Sequence, residues 1–342
     1  MVGVGVIGCG RIAQTRHLPE YQDNPDAKIV AVYDFNSQRA TEIAEEYDAK
    51  AYLSYEELLS DPSIDAVSVC VRNSDHAAIT IAALKAGKHV LCEKPMAVTL
   101  EECEEMVRVS KETGKFLMIG HNQRLVRTHQ KAKELIESGA IGDILTFKTC
   151  FGHGGPETWT VDGNNVWFFD KKLSAFGAMA DLGVHKTDLI QFLTGQHVEK
   201  VNAVLTTLDK KDHDGNLIGV DDNAICIYQM ENGIIGTMTV SWTYYGKEDN
   251  STILYGTKGI MRIYDDDHYS IILIGEDTKT YYELDHIQTN DNQTKSGIID
   301  EWITCIKENK APEISGEEAL YSMKAVFAAI ESSETGKQVT IK

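Results

Sequence analysis

The chain has 342 residues, of which 42% are apolar and 25% are charged, and its formal net charge is −19. This length is suitable for two globular domains. The negative charge argues against nucleic acid as a partner, because phosphates are bound by clustered Lys and Arg, and it also argues against an anionic membrane surface. No apolar run approaches the ~18–20 residues that a membrane-spanning helix needs.

Seven cysteines are scattered through the chain without a C-x-x-C pair. An odd, dispersed set is typical of reduced thiols rather than of a disulfide framework. The first residues lack the basic segment that begins a signal peptide. These features predict a cytoplasmic protein.

A glycine fingerprint opens the first predicted domain. The apolar run Val2–Ile7 predicts a strand, and it is followed by Gly8–Ala13, which has the form G-x-G-x-x-A and begins a segment that can be helical up to Pro19. Such glycines permit a tight turn and a close approach of the backbone to a pyrophosphate at the helix N-terminus. A strand–turn–helix without a ligand is the alternative. The predicted cofactor-binding residues in this turn are Gly8, Gly10, Arg11 and Ile12.

The second predicted strand, Lys28–Tyr33, ends at Asp34. An acidic residue about 20 residues after the fingerprint is expected to bond the ribose hydroxyls of the adenosine. A carboxylate there repels a 2′-phosphate, and Phe35 and Asn36 supply no positive charge. The sequence therefore predicts NAD rather than NADP, with the nearest cation, Arg39, on the exposed face of the next helix. A plain turn aspartate is the alternative.

Strand and helix patterns alternate through the rest of this domain. Buried strands are predicted at Ala66–Val71, Val90–Cys92 and Phe116–Ile119, and the segments between them have helical periodicity. Six strands with crossover helices make a doubly wound parallel sheet of the Rossmann type. We expect it to occupy residues 1–120.

Glu93, Lys94 and Pro95 follow the fifth predicted strand. Proline cannot continue a central strand, so the strand ends here. Because α/β sheets bind ligands at the carboxyl ends of their strands, Lys94 is a candidate functional residue, with a solvated loop lysine as the alternative. Asn73 and His76 follow the fourth strand and are predicted beside it. These four polar residues are candidate cofactor contacts, although His76 is equally consistent with a structural histidine.

A second, α+β domain is predicted for residues 121–342. Strand patterns extend from Val198 to Leu284 without an obvious helix, and Asn232-Gly233 marks a tight hairpin. This predicts a large, mostly antiparallel open sheet. Such a sheet can leave one face uncovered, and we expect that face to form a homo-oligomer, either a dimer or a tetramer.

Loop residues dominate the stretch 152–172. A loop of this length inside a compact domain is usually functional. Its shape cannot be predicted, but His153, Asn165 and Trp167 are candidate substrate contacts.

Asp181 and His185 lie four residues apart and would share one face of a helix. A carboxylate beside a histidine can fix its tautomer and stabilise its protonated form. A helix-surface ion pair is the simpler alternative at this spacing. No metal is predicted, because no third ligand lies at a short spacing.

Taken together, these motifs resemble the glucose–fructose oxidoreductase / inositol dehydrogenase family. The resemblance covers nearly the whole chain and is carried by Gly8–Ala13, Asn73-x-x-His76, Ala86–Pro95 and Asp181–His185. It implies that Lys94, Asp181 and His185 form the catalytic group and that the Lys94–Pro95 peptide is cis. It also implies that Arg124 is a substrate-side residue.

The function implied is an NAD-dependent dehydrogenase that transfers a hydride between a secondary alcohol of a cyclic polyol or sugar and the nicotinamide. His185 would take the hydroxyl proton, Lys94 would stabilise negative charge on the same oxygen, and Asp181 would hold the substrate or His185 in place. Two alternatives stay open: an NAD-dependent glycoside hydrolase with transient oxidation, and a non-catalytic NAD-sensing protein. The sequence does not identify the polyol, the hydroxyl or the physiological direction.

Overall fold

The computed structural model describes residues 1–158, 160–161, 166–285 and 295–342. Within these limits the chain divides into two compact units. Of the described residues, the first unit contains 1–122, 160–161 and 295–320, and the second contains 123–158, 166–285 and 321–342. Residues 295–320 thus pack with the first unit although they follow most of the second in the chain.

The first unit is built on a parallel sheet of six strands. The strands are β1 Val2–Ile7, β2 Ala27–Tyr33, β3 Lys50–Ala51, β4 Ala66–Val69, β5 His89–Cys92 and β6 Leu117–Ile119. Their order is β3-β2-β1-β4-β5-β6, and all neighbours pair in parallel. The order reverses between β1 and β4, which is the point where such sheets bind their ligands. The predicted Rossmann fold is confirmed.

The second unit contains a nine-stranded sheet. Its strands are β7 Ile144–Gly152, β8 Val198–Thr206, β9 Asn223–Met230, β10 Ile235–Ser241, β11 Thr252–Gly256, β12 Gly259–Ile263, β13 Ile271–Ile274, β14 Lys279–Tyr282 and β15 Val339–Thr340. The order is β14-β13-β12-β11-β7-β10-β9-β8-β15, and β7–β10 is the parallel pair among otherwise antiparallel ones. The predicted hairpin joins β9 to β10, with Gly233 at φ +89°. The prediction of a mostly antiparallel sheet is confirmed.

Side chains on β9 show that this sheet has one buried and one exposed face. Ala224, Cys226 and Tyr228 are almost completely buried, whereas Ile225 and Ile227 are more than half exposed. The period of two is that of a strand with one face on the core.

Helices complete both units. They are α1 Leu18–Asp23, α2 Ser37–Glu46, α3 Tyr55–Leu59, α4 His76–Lys85, α5 Leu100–Thr113, α6 Arg127–Glu137, α7 Lys171–Ser174, α8 Val184–Thr194, α9 Ile298–Glu308 and α10 Gly316–Thr335. In the described part of the chain, none of them has the length and apolar character needed to cross a bilayer.

Two π-helical segments precede α1 and α8, at Ala13–His17 and Met179–Gly183. The first corrects the expectation that the helix after the fingerprint stops at Pro19. The helix continues to Asp23 through Pro19, which directly follows the π-helical turn that Leu18 N closes on Ala13 O. Single π-helical turns occur frequently at functional sites, and these two lie beside the glycine turn and at Asp181.

Candidate active site

The glycine turn between β1 and the first helical segment leaves its backbone open. Gly8 has φ +94°, and a Cβ on it would meet the carbonyl oxygen of Cys70 at 2.4 Å, so this position requires glycine. A Cβ on Gly10 would meet nothing within 4 Å. Gln14 N donates to Gly10 O over 3.1 Å, which makes Gly10 the start of the helical segment. An open turn before helical N–H groups suits a pyrophosphate.

Asp34 closes the same turn from the end of β2. Its side chain is buried, with Oδ2 accepting from Cys9 N over 2.7 Å and Oδ1 accepting from Asn36 N over 2.8 Å. A carboxylate oxygen can accept more than one hydrogen bond, so ribose hydroxyls can still be bound. Arg39 Nη1 lies 3.5 Å from Oδ1, and the Arg39 side chain is 14% exposed. The prediction that Arg39 lies on the exposed helix face is wrong, because the carboxylate attracts its guanidinium.

Glu93 is the buried anion at the end of β5. His17 Nε2 donates to its Oε1 over 2.8 Å, Arg16 Nη1 lies 3.7 Å from the same oxygen, and Lys94 N donates to Oε2 over 3.2 Å. Burial alone would raise the pKa of Glu93, but the bond to His17 and the charges nearby lower that pKa to about 2. Glu93 is therefore ionised at neutral pH and fixes the backbone of Lys94.

His17 connects Glu93 to the centre of the sheet. Its Nδ1 lies 3.0 Å from Ser68 Oγ on β4, and Tyr21 OH lies 2.8 Å from the same hydroxyl. All four side chains are buried. This continuous polar chain holds Oε1 of Glu93, whereas Lys94 N is bonded to Oε2.

His76 spans the loops that follow β4 and β5. Its Nδ1 lies 2.8 Å from Pro95 O and its Nε2 lies 3.2 Å from Val71 O. Burial lowers the pKa of His76, and the two carbonyl oxygens oppose that shift. The Lys94–Pro95 peptide is cis, as predicted. Asn73 is also buried beside this loop, and cofactor contacts by Asn73 and His76 remain predictions.

In the second unit, Asp221 fixes the start of the segment that carries Asp181. Its carboxylate accepts from Gly177 N over 2.9 Å and from Met179 N over 2.7 Å, and its carbonyl accepts from Ala178 N over 2.8 Å. A Cβ on Gly177 would lie 1.7 Å from that carbonyl oxygen, so the close approach requires glycine. Burial raises the pKa of Asp221.

Asp181 lies in the π-helical segment and is held by an indole. Trp242 Nε1 donates to Asp181 Oδ2 over 3.0 Å, and both side chains are buried. His185 follows in the first turn of α8 and is also buried. Its ring lies 6.1 Å from that of Phe151, which packs edge-to-face with His153 at 5.8 Å. Phe151 thus links a predicted catalytic residue to a predicted substrate residue.

The predicted substrate loop is partly described. His153 Nδ1 accepts from Gly155 N over 3.0 Å. Trp167 stacks on Phe168 with ring centres 3.9 Å apart. Asn165 lies outside the described residues. Substrate contacts by these residues remain predictions.

Arg124 makes a buried ion pair with Asp188. Nε and Nη2 of Arg124 lie 2.8 Å and 2.7 Å from the two carboxylate oxygens. The guanidinium also lies over the ring of Phe192 at 5.6 Å. This pair gives Arg124 a structural partner on α8, and the predicted role on the substrate side is untested.

Lys186 was not singled out by its sequence context. Its side chain is fully buried, and Nζ donates to Asn250 O over 2.8 Å and lies 3.5 Å from Thr252 Oγ1. Burial lowers the pKa of Lys186 to about 7. In the sequence, Lys186 directly follows His185, and nothing in that context distinguishes it from a surface lysine.

The other functional candidates that the sequence did not reveal are Arg16, His17, Trp242 and Asp221. Each acts on a residue that lies far away in the chain, so no local motif marks it. For metals, the described residues contain no group of three or more His, Cys, Asp or Glu that could hold an ion.

Comparison with known proteins assigns the family. Residues 2–121 match the model of an oxidoreductase family with an NAD-binding Rossmann fold, and residues 129–262 match the GFO/IDH/MocA C-terminal domain. A trans-1,2-dihydrobenzene-1,2-diol dehydrogenase from Bos taurus is 31% identical over 78% of this chain and 73% of its own length. The chain belongs to the glucose–fructose oxidoreductase / inositol dehydrogenase family. It is an oxidoreductase with an NAD-binding fold, and the open Gly10 backbone and buried Asp34 fit that cofactor.

Two further relatives cover almost the full length. A myo-inositol 2-dehydrogenase from Thermotoga maritima is 28% identical over 99% of this chain and 98% of its own. The structure of a levoglucosan dehydrogenase in complex with NADH and levoglucosan superposes with a TM-score of 0.85, at 25% identity, over 100% of this chain and 99% of the other.

Proposed function

We propose that this protein is an NAD-dependent dehydrogenase that oxidises a secondary alcohol of a cyclic polyol or sugar, inositol-like or aldose-like. The observation that carries the proposal is Lys94, fixed by the ionised Glu93 at the carboxyl end of β5 in an NAD-binding fold. The names of the inositol and levoglucosan relatives support the substrate class. In this proposal residues 1–120 hold the cofactor and residues 121–342 bind the substrate.

The chain's own residues supply the proton chemistry. His185 takes the hydroxyl proton as general base, and Lys94 donates to the same oxygen and stabilises its developing negative charge. Asp181, restrained by Trp242, positions the substrate or His185. When bound, NAD supplies the hydride acceptor. Asp34 selects NAD, because its carboxylate repels a 2′-phosphate.

Substitution of Lys94 and His185 tests these roles. Lys94→Ala and His185→Ala are each expected to lower kcat by roughly 10²–10⁴-fold, because general acid–base catalysis contributes about that much. NAD binding, measured by calorimetry, should be preserved. Lys85→Ala is the matched control, since Lys85 is an exposed lysine of α4. An effect of His185→Ala confined to KM would contradict its role as base.

A spectrophotometric screen decides between the proposed function and its alternatives. Inositols, aldoses and anhydro-sugars would be incubated with NAD and NADP in parallel, and NADH formation recorded. Release of free sugar from glycosides without NADH accumulation would favour a glycoside hydrolase with transient oxidation. NAD binding without turnover on the whole panel would favour a sensor.

We propose that the exposed face of the nine-stranded sheet forms a homo-oligomer. Four β-branched residues of β8, β9 and β10 are each more than half exposed: Val204, Ile225, Ile227 and Ile235. In the strand register, Val204 is opposite Ile225, so the apolar residues form a contiguous patch of the kind that marks interaction sites. Ile227→Asp should convert a dimer or tetramer into monomer in light scattering, and a wild-type monomer would contradict the proposal.

A cytoplasmic location is part of the same proposal. All seven cysteines are free thiols, which suits a reducing compartment. Fractionation of cells that express the protein tests this, and recovery outside the cytoplasm would contradict it.

A further inference from the structure

We propose that Trp242 is a positioning residue, which holds the carboxylate of Asp181 in its working orientation through the indole N–H. This inference rests on the proposed function of Asp181. Trp242 is fully buried, and its Nε1 donates to Asp181 Oδ2 over 3.0 Å. A hydrogen bond to a charged acceptor is stronger than one between neutral groups, so the indole is well suited to fix one carboxylate oxygen.

A single dipeptide locates both partners of this bond. The carboxylate of Asp221 accepts from Gly177 N and Met179 N, which fixes the segment that leads to Asp181. The carbonyl of Asp222 accepts from Trp242 N over 2.8 Å. Because adjacent residues anchor the donor and the acceptor, their separation depends little on the rest of the sheet.

The ring of Trp242 also packs against the predicted substrate loop. The ring of Phe168 meets Trp242 nearly perpendicularly at 6.4 Å, and that of Phe169 lies at 6.0 Å. Phe168 in turn stacks on Trp167. An unbroken chain of contacts therefore runs from a predicted substrate residue, through Trp242, to Asp181. Occupation of the loop by substrate can thus affect the orientation of the carboxylate.

A double-mutant cycle separates positioning from general stability. Trp242→Phe keeps the aromatic packing and removes the N–H, and we expect it to lower kcat at least tenfold, by loss of a bond to a charged group. In an Asp181→Asn background the same change should lower kcat less than twofold, because the group on which it acts is gone. The primary deuterium isotope effect on kcat should rise in Trp242→Phe, whereas a smaller fraction of active enzyme would leave it unchanged.

Two further variants provide a control for Trp242→Phe and a substitute for it if it does not fold. Trp302→Phe removes another fully buried indole of the described residues, in the first unit, and any effect on kcat should be the same in the wild-type and Asp181→Asn backgrounds. If Trp242→Phe does not fold, Phe168→Leu removes an aromatic ring that packs against the indole and should show a smaller loss of kcat that again disappears with Asp181→Asn. Multiplicative effects in the cycle would overturn the proposal.

An NMR measurement detects the hydrogen bond between Trp242 and Asp181 without enzymatic turnover. The chain has four tryptophans, so the indole N–H region of a ¹⁵N-TROSY spectrum is simple, and Trp242→Phe assigns the Trp242 resonance. Asp181→Asn should move this resonance upfield, and an unmoved resonance would overturn the proposal. If the wild type oxidises no polyol, the proposed function is wrong. The positioning of Asp181 by Trp242 is wrong only if the Trp242 resonance also stays unchanged in Asp181→Asn.

Discussion

Glu93→Gln is the substitution whose effect can be worked out most fully from the structure. The change keeps the shape of the side chain and removes its charge. In the folded protein the pKa of Glu93 is lowered from 4.5 to about 2, by His17 and Arg16 acting against burial. A difference of this size between folded and unfolded states corresponds to about 3 kcal/mol of stability.

The sign and the pH window follow from the direction of the shift. Because the folded pKa of Glu93 is the lower one, its ionised form stabilises the fold fully above pH 4.5, and that stability declines as the pH falls toward 2. The free energy of unfolding should therefore differ between wild type and Glu93→Gln by about 3 kcal/mol at pH 7 and by roughly 2 kcal/mol at pH 3.5.

Urea unfolding of both proteins at the two pH values measures this difference. Glu45→Gln is the matched control, since Glu45 is an exposed glutamate of α2, and a change within about 0.5 kcal/mol is expected for it. In the same samples, kcat of Glu93→Gln should fall, because Lys94 N loses an ionised acceptor. A difference in unfolding free energy that is the same at both pH values would refute the assignment of Glu93 as a buried anion.

Three other predictions concern charged side chains. Asp34→Asn should raise the ratio of kcat/KM for NADP to that for NAD at least tenfold. The reason is that the carboxylate paired with Arg39 is removed, so Arg39 can bind a 2′-phosphate. Adding Arg39→Ala should abolish this gain. Lys186→Met should raise the melting temperature at pH 7, and the gain should shrink as the pH rises toward 10.5, because the cost of burying the ammonium disappears once the unfolded state is also neutral. Asp188→Asn should lower the free energy of unfolding by about 3–5 kcal/mol in denaturant titrations, since it removes the carboxylate that neutralises the buried Arg124 charge.

Local signals were sufficient for the fold and for the cofactor turn. The positive φ of Gly8 and the open backbone of Gly10 are local features of the turn, although the atom that excludes a Cβ at Gly8, Cys70 O, lies far along the chain. Strand periodicity and the Asn232-Gly233 turn likewise predict pairing between neighbouring segments. These features depend on residues close together in the chain, which a sequence presents directly.

The supports of the candidate catalytic residues depend on contacts that a sequence does not present. His17 lies 76 residues before Glu93, and Trp242 lies 61 residues after Asp181. Neither residue belongs to a short motif, and a buried Trp or His is ordinarily interpreted as core. The wrong prediction for Arg39 has a different origin: Asp34 lies only five residues earlier, but helical periodicity does not take account of a carboxylate at the end of the preceding strand.

The ion pair of Arg124 bears on how its substitution should be interpreted. Asp188 lies one turn beyond His185 on α8, so Arg124 fixes the helix that carries the proposed base. Lys186 anchors the same helix to Asn250 O. Loss of Arg124 should therefore displace His185 and lower kcat even if Arg124 never contacts substrate. A change in KM with unchanged kcat and unchanged unfolding free energy is the result that would assign Arg124 to the substrate, because displacement of the base cannot produce it.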